Sequence, residues 1–123
     1  MKKLIIVGHF TKKIIEQFNL KYQDNTPINL HPNRKKHMLK RHGHEFSDFE
    51  GTYQKIPEII QSPDYIGLHP DGKSIQFVKL LEEKTLVAVR LDADSGNVRT
   101  MYPLTDNKLK NYINENRMKS QKK

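Results

Sequence analysis

Residues 74–104 read SIQFVKLLEEKTLVAVRLDADSGNVRTMYPL, and their residue pattern decides the fold class. Three β-rich runs, Ser74 to Leu81, Thr85 to Asp92 and Val98 to Leu104, are separated by Glu82-Glu83-Lys84 and by Ala93-Asp94-Ser95-Gly96-Asn97. Val, Thr and aromatic side chains suit a pleated, half-buried surface, whereas Gly, Asn, Asp and Ser favour turns. Both connections are short enough for hairpins, so an antiparallel meander is expected. Tyr65 to His69 adds a candidate fourth strand.

Upstream of the meander the pattern turns largely helical. Leu4 to Val7 reads as a short buried strand ended by Gly8. Thr11 caps a helix reaching about Asn19, with Ile14, Ile15 and Phe18 at helical spacing. After a turn at Asp24 to Pro27 and a brief strand at Ile28 to Leu30, Asn33 caps a second helix over Arg34 to Phe46. A third helix is expected over Tyr53 to Gln61, stopped by Ser62-Pro63-Asp64. Thr105 caps a last helix carrying Leu109, Tyr112 and Ile113 inward, and residues 119–123 read as a frayed basic tail. The expectation is one α+β domain over residues 1–123, with N-terminal helices packed on a small C-terminal antiparallel meander and a closing helix.

Composition bounds the function. Lys and Arg number 22 against 14 Asp and Glu, a net charge of +8, in a chain that is 35% hydrophobic and 29% charged. A surplus of that size attracts polyanions and speeds encounter with them, and nucleic acid is the first candidate partner. The absence of cysteine excludes disulfides, thiolate catalysis and Cys-based zinc sites. Lys2 and Lys3 precede only four apolar residues, Leu4 to Val7, too few for the core of a signal peptide, and no run is long enough to span a bilayer. No membrane association and a cytoplasmic location are therefore expected.

The chemistry-bearing residues fall in two places. On the second helix, Met38, Leu39, His42 and Phe46 form one stripe, which turns His42 toward the sheet, while His37, Arg41 and His44 share a more polar neighbouring face. Imidazole transfers protons near neutral pH. A core histidine bonded to a backbone carbonyl fits His42 as well. His37 and His42 are five residues apart and diverge by about 140° on a regular helix, so they do not chelate one ion, and no metal or other cofactor is expected. On the sheet, strict alternation points Val98, Thr100, Tyr102 and Leu104 one way and Arg99 and Met101 the other. Arg90 in the middle strand and Lys79 in the first supply cations suited to phosphate, and they suit a plain solvent face equally.

In this order the motifs resemble one family. The run His37-Met-Leu-Lys-Arg-His42 is similar to the His-x-x-x-[Lys/Arg]-His helix of the phage-borne nucleases of the barnase–EndoU–colicin–RelE superfamily. Ile56-Pro-Glu-Ile-Ile60 and Ser62-Pro63-Asp64-Tyr65-Ile66 resemble their following helix and turn, the meander with Arg99-Thr100-Met101-Tyr102 their closing strands, and Val7-Gly8 with the first helix their opening. The resemblance implies helices packed on a small antiparallel sheet and metal-independent RNA cleavage in a phage or mobile-element toxin. It implies catalytic roles for His37, His42, Lys79 or Arg90, Thr100 and Tyr102. Attack by the ribose 2′-hydroxyl would use His42 or His37 as base, a second His or Tyr102 as acid, and Thr100 on a nonbridging oxygen. Lys36, Lys40 and Arg41 would bind flanking phosphates, with strong salt dependence. An antitoxin or immunity protein is a further expected partner. Two other classes stay open at this point: a non-catalytic nucleic-acid-binding accessory protein, and a protein-interaction module.

Overall fold

A computed structural model describes residues 4–121. The expected fold is corrected in its main feature. Among the described residues a strand comes first, and the sheet is not a small C-terminal meander but seven strands curled into a half-barrel, with five α-helices around it. The strands are β1 (Ile5–Phe10), β2 (Thr26–Leu30), β3 (Tyr65–Leu68), β4 (Ser74–Leu80), β5 (Lys84–Leu91), β6 (Gly96–Pro103) and β7 (Lys119–Ser120), in the spatial order β1-β2-β6-β5-β4-β3-β7. The helices are α1 (Lys12–Phe18), α2 (Asn33–His42), α3 (Phe49–Tyr53), α4 (Ile56–Gln61) and α5 (Asp106–Asn114).

The expected hairpins form: β3, β4, β5 and β6 pair antiparallel in sequence order. What local pattern does not reveal is where the first two strands dock. β1 and β2 pair antiparallel with each other, and β2 joins β6 in parallel through Ile28↔Gly96 and Asn29↔Asn97. That contact covers an otherwise open edge of the meander, which would invite pairing with another chain. Gly96 permits it, because a Cβ there would lie 2.8 Å from the Phe10 ring. Gly8 does not end β1. It follows a register shift after Ile6, and the strand runs on to Phe10.

The expected third helix, Tyr53 to Gln61, begins only at Ile56 as α4, and a short helix not foreseen, α3, precedes it. Asp48 accepts a hydrogen bond from the Gly51 amide and starts α3, and a new helix begins near Pro57, which lacks an amide donor and suits a first turn. The expected frayed tail is partly ordered: Lys119 and Ser120 pair with Ile66 and Tyr65, and the Gln121 amide donates to the Asp64 carbonyl at 2.9 Å. Met1 to Lys3 and the tail's last two residues, Lys122 and Lys123, lie outside the described residues.

Both sheet faces are packed. One carries the larger core, in which Ile75, Phe77, Val87, Val89, Val98 and Met101 meet Met38 of α2 and Ile56, Ile59 and Ile60 of α4. The other carries a smaller cluster, in which Val78, Leu86 and Ala88 meet Leu109 of α5 and Met118. The chain segment before β7 presses on β3 so closely that a Cβ at Gly67 would lie 1.9 Å from the Arg117 carbonyl oxygen. Gly67→Ala is expected to force β7 off the sheet and cost about 1–3 kcal/mol or more. A lowered Tm in thermal unfolding followed by circular dichroism would report it.

Candidate active site

The cavity that gathers the histidines opens on the face bearing the smaller cluster. Register builds its floor. Gln76 pairs with Ala88 and Ala88 with Thr100, so these three form one cross-strand row, and Val78, Leu86 and Tyr102 form the next. A register shift at Ala88/Val89 opposes those two residues to Thr100 and Val98, which leaves Arg99 as an extra residue. The shift reverses the expected alternation. Val98 turns into the larger core beside Met101, and both Arg99 and Thr100 line the cavity.

Helix α2 supplies the wall. Beyond Asn97, β6 has left its partner β2, and the carbonyl of Arg99 instead accepts from Arg34 Nε at 3.1 Å and Nη2 at 2.5 Å. The helix thereby lies along the β6 edge with Met38 fully buried on one side and His42 against Tyr102 on the other, ring centroids 5.5 Å apart. The expected continuous helix to Phe46 does not form. At His42 the backbone leaves α geometry (φ −127°, ψ −2°), and a 3-10 turn spans Gly43–Glu45. The apolar stripe breaks with it, and Leu39 is 49% exposed. The turn also returns Glu45 to His42, whose Nδ1 lies 2.6 Å from Oε2. An ionised carboxylate only accepts, so Nδ1 carries the proton toward Glu45 and Nε2 is left for the cavity.

The cavity encloses about 230 Å³ and brings together His37, Arg41, His42, Thr100 and Tyr102 from the expected set. It adds Arg34, His69, Asp71, Ser74, Gln76 and Arg99. Arg90 does not line it. Its Nε donates to Asp92 Oδ1 at 2.9 Å, and it borders an adjoining cleft of about 300 Å³ that shares Arg34 and Arg99. Lys79 lies on the opposite face in step with Ile75 and Phe77, and its Nζ donates to the Ser62 carbonyl at 2.6 Å. Lys36 and Lys40 are exposed on α2 away from the cavity lining, and so is His44 in the turn. Of the added residues, Arg34 was recoverable from its i, i+3, i+7 spacing with His37 and Arg41. Ser74 and Gln76 were recoverable as the polar alternates of β4. Arg99 was not, because it depends on the register shift. His69 and Asp71 stand in the β3–β4 loop, with the Asp71 amide donating to His69 Nδ1 at 3.2 Å.

The site is strongly electropositive. The Arg34 guanidinium foremost, with Arg41, holds the His37 imidazole below the usual histidine range. Burial first, then Arg99, Arg90 and Arg41, lowers Arg34 itself. Burial pushes the Tyr102 phenol up to about 12, with Tyr112 adding to the shift, so Tyr102 stays a proton-bearing donor at neutral pH. Among the described residues no three His, Asp or Glu side chains converge as a metal site, and no helix is long and apolar enough to cross a membrane.

The seven-stranded mixed sheet and α2 thus place two helix-borne histidines, clustered arginines and a late-strand Thr and Tyr around one cleft, side chains suited to binding phosphate and moving protons. The model of the family described as phage-Barnase-EndoU-ColicinE5/D-RelE like nuclease3 matches residues 5–111, and the chain belongs to that family. No curated protein matches the chain significantly.

Proposed function

We propose that this protein is a metal-independent endoribonuclease of phage or mobile-element origin that cleaves RNA through the ribose 2′-hydroxyl. The observation that carries the reading is the convergence of His37 and His42 on one arginine-rich cavity beside Thr100 and Tyr102. Two groups with contrasting surroundings divide acid and base work. His37, kept neutral by its cationic neighbours, takes the 2′-hydroxyl proton. The 2′-oxygen bonds to phosphorus as the bond to the 5′-oxygen breaks. His42, backed by Glu45, gives its proton to the departing 5′-oxygen. The products are a 2′,3′-cyclic phosphate and a 5′-hydroxyl. Arg41 and Arg99 take the charge that builds on the nonbridging oxygens, and Thr100 and Tyr102 donate to them. A toxin role, an antitoxin or immunity partner and a cytoplasmic site of action belong to the same proposal.

Purified protein is incubated with mixed-sequence RNA in EDTA. Fragments ending in 2′,3′-cyclic phosphate are expected. Intact RNA that is nevertheless bound by the protein would replace this reading with that of an accessory nucleic-acid-binding protein.

The acid–base assignment fixes a pH dependence. His37 works unprotonated, so activity falls as pH drops through its pKa. Because that pKa is lowered, the acid limb of kcat/KM is expected below the ordinary histidine value of about 6.5. Arg34→Gln removes the largest cause of the lowering and is expected to move that limb toward higher pH. A limb that stays in place would reassign the base.

A further inference from the structure

We infer that Gln76 is the centre of a base-reading subsite beside the reacting phosphate, so that this protein selects the nucleobase it cleaves next to. The inference rests on the nuclease reading above and extends it. Gln76 is 3% exposed and lines the cavity, yet its Oε1 is buried without a hydrogen-bond partner in the protein. Buried carboxamides are rarely left so, and an orphaned acceptor in a functional cleft is where a ligand donor is missing. Thr85, equally buried on β5, is by contrast satisfied within the fold by donating to the Glu83 carbonyl.

The neighbours identify the donor. Phosphate oxygens only accept, so a phosphate answers the arginines and leaves Gln76 Oε1 unpaired. A base edge carries N–H donors beside acceptors, and a carboxamide matches that pattern with its own oxygen and NH₂. The terminal torsion of Gln is broad and two-fold, so rotation about it, by up to half a turn, brings either the oxygen or the NH₂ to the cavity. Placement agrees. Gln76 and Thr100 stand in one row with Ala88 between them, two strand spacings or about 9.5 Å apart. With the phosphate at Thr100, a base lies on the scale of that distance away. The methyl of Ala88 leaves the intervening floor open for the ribose, and Ser74 lies two residues along β4 from Gln76 on the same face.

The four nucleoside 3′-monophosphates and ribose 5-phosphate are titrated calorimetrically into the wild type and into Gln76→Leu. One base is expected to bind about 10-fold more tightly than the weakest, in line with one well-made base contact. In Gln76→Leu the four affinities should converge, while that for ribose 5-phosphate stays unchanged. Leu replaces an unpaired buried polar group by an apolar one of similar size, so the variant's Tm should not fall. Gln76→Met repeats the test if Leu does not fold. Equal binding of all four bases by the wild type, or a preference kept in a folded variant, overturns the subsite. A preference that Gln76→Leu erases in a protein that cuts no RNA would keep the subsite and reject the nuclease reading. RNA cleavage without any base preference would do the reverse.

Discussion

His42→Ala is expected to slow RNA cleavage by about 10²–10⁴-fold, the range for losing a positioned general acid or base. The loss should fall on kcat and leave RNA affinity nearly intact, because phosphate binding resides in the arginines. The fold should survive, since His42 terminates α2 and the buried anchor of that helix is Met38. Glu45→Gln keeps a hydrogen-bond acceptor near Nδ1 but removes the carboxylate charge that stabilises the imidazolium. It should give a smaller loss, confined to kcat with KM unchanged, a split that a merely structural Glu45 would not produce. Wild-type turnover by a folded His42→Ala would remove His42 from the chemistry.

Arg99→Ala carries the second large effect, a loss of about 10²–10³-fold in kcat, the scale for deleting one donor to a developing oxyanion. Arg99 occupies the position that the β6 register shift leaves unopposed, and Arg34 grips its carbonyl from α2. Helix and strand therefore hold the site together through this residue's backbone, which Ala retains. Arg99→Lys should recover part of the rate, because it restores charge without the planar two-pronged donor. Lys79→Ala is the contrasting case. Its ammonium is engaged with the Ser62 carbonyl on the other face, so cleavage should be unchanged. Loss of cleavage in Lys79→Ala, or none in Arg99→Ala, would invert the assignment of the phosphate-binding cations.

How much of this was legible beforehand differs by element. The β3 to β6 order, the Thr11 and Thr105 helix caps and the buried Ile59 and Ile60 follow from local rules: alternation, side-chain capping and helical spacing. The histidine pair and the Thr100–Tyr102 pair were visible as chemistry, and the cavity contains all four. Alternation also contained the fate of Lys79, whose odd number in β4 places it with Ile75 and Phe77. Residue type and the family resemblance, not strand geometry, are what suggest Lys79 as a phosphate ligand. The size of the sheet was not legible. β2, with β1 on its outer edge, docks on β6 across some seventy residues of chain, and nothing local in Ile28-Asn29-Leu30 specifies a parallel neighbour.

Charge, spacing and period are properties of neighbouring residues, and they suffice to mark a basic, cysteine-free chain with a histidine-bearing helix followed by an antiparallel meander. Which side chains meet is a matter of how distant segments pack. One extra residue at Ala88/Val89 turned Val98 inward and brought Arg99 to the cavity beside Thr100. One break in helix geometry at His42 set Glu45 behind its ring, in a chain whose regular helix would have sent His37 and His42 apart. Register shifts and helix ends are settled by the packing of distant segments, here β2 and α2 sharing the edge of β6, and that competition is not written in any local run of residues.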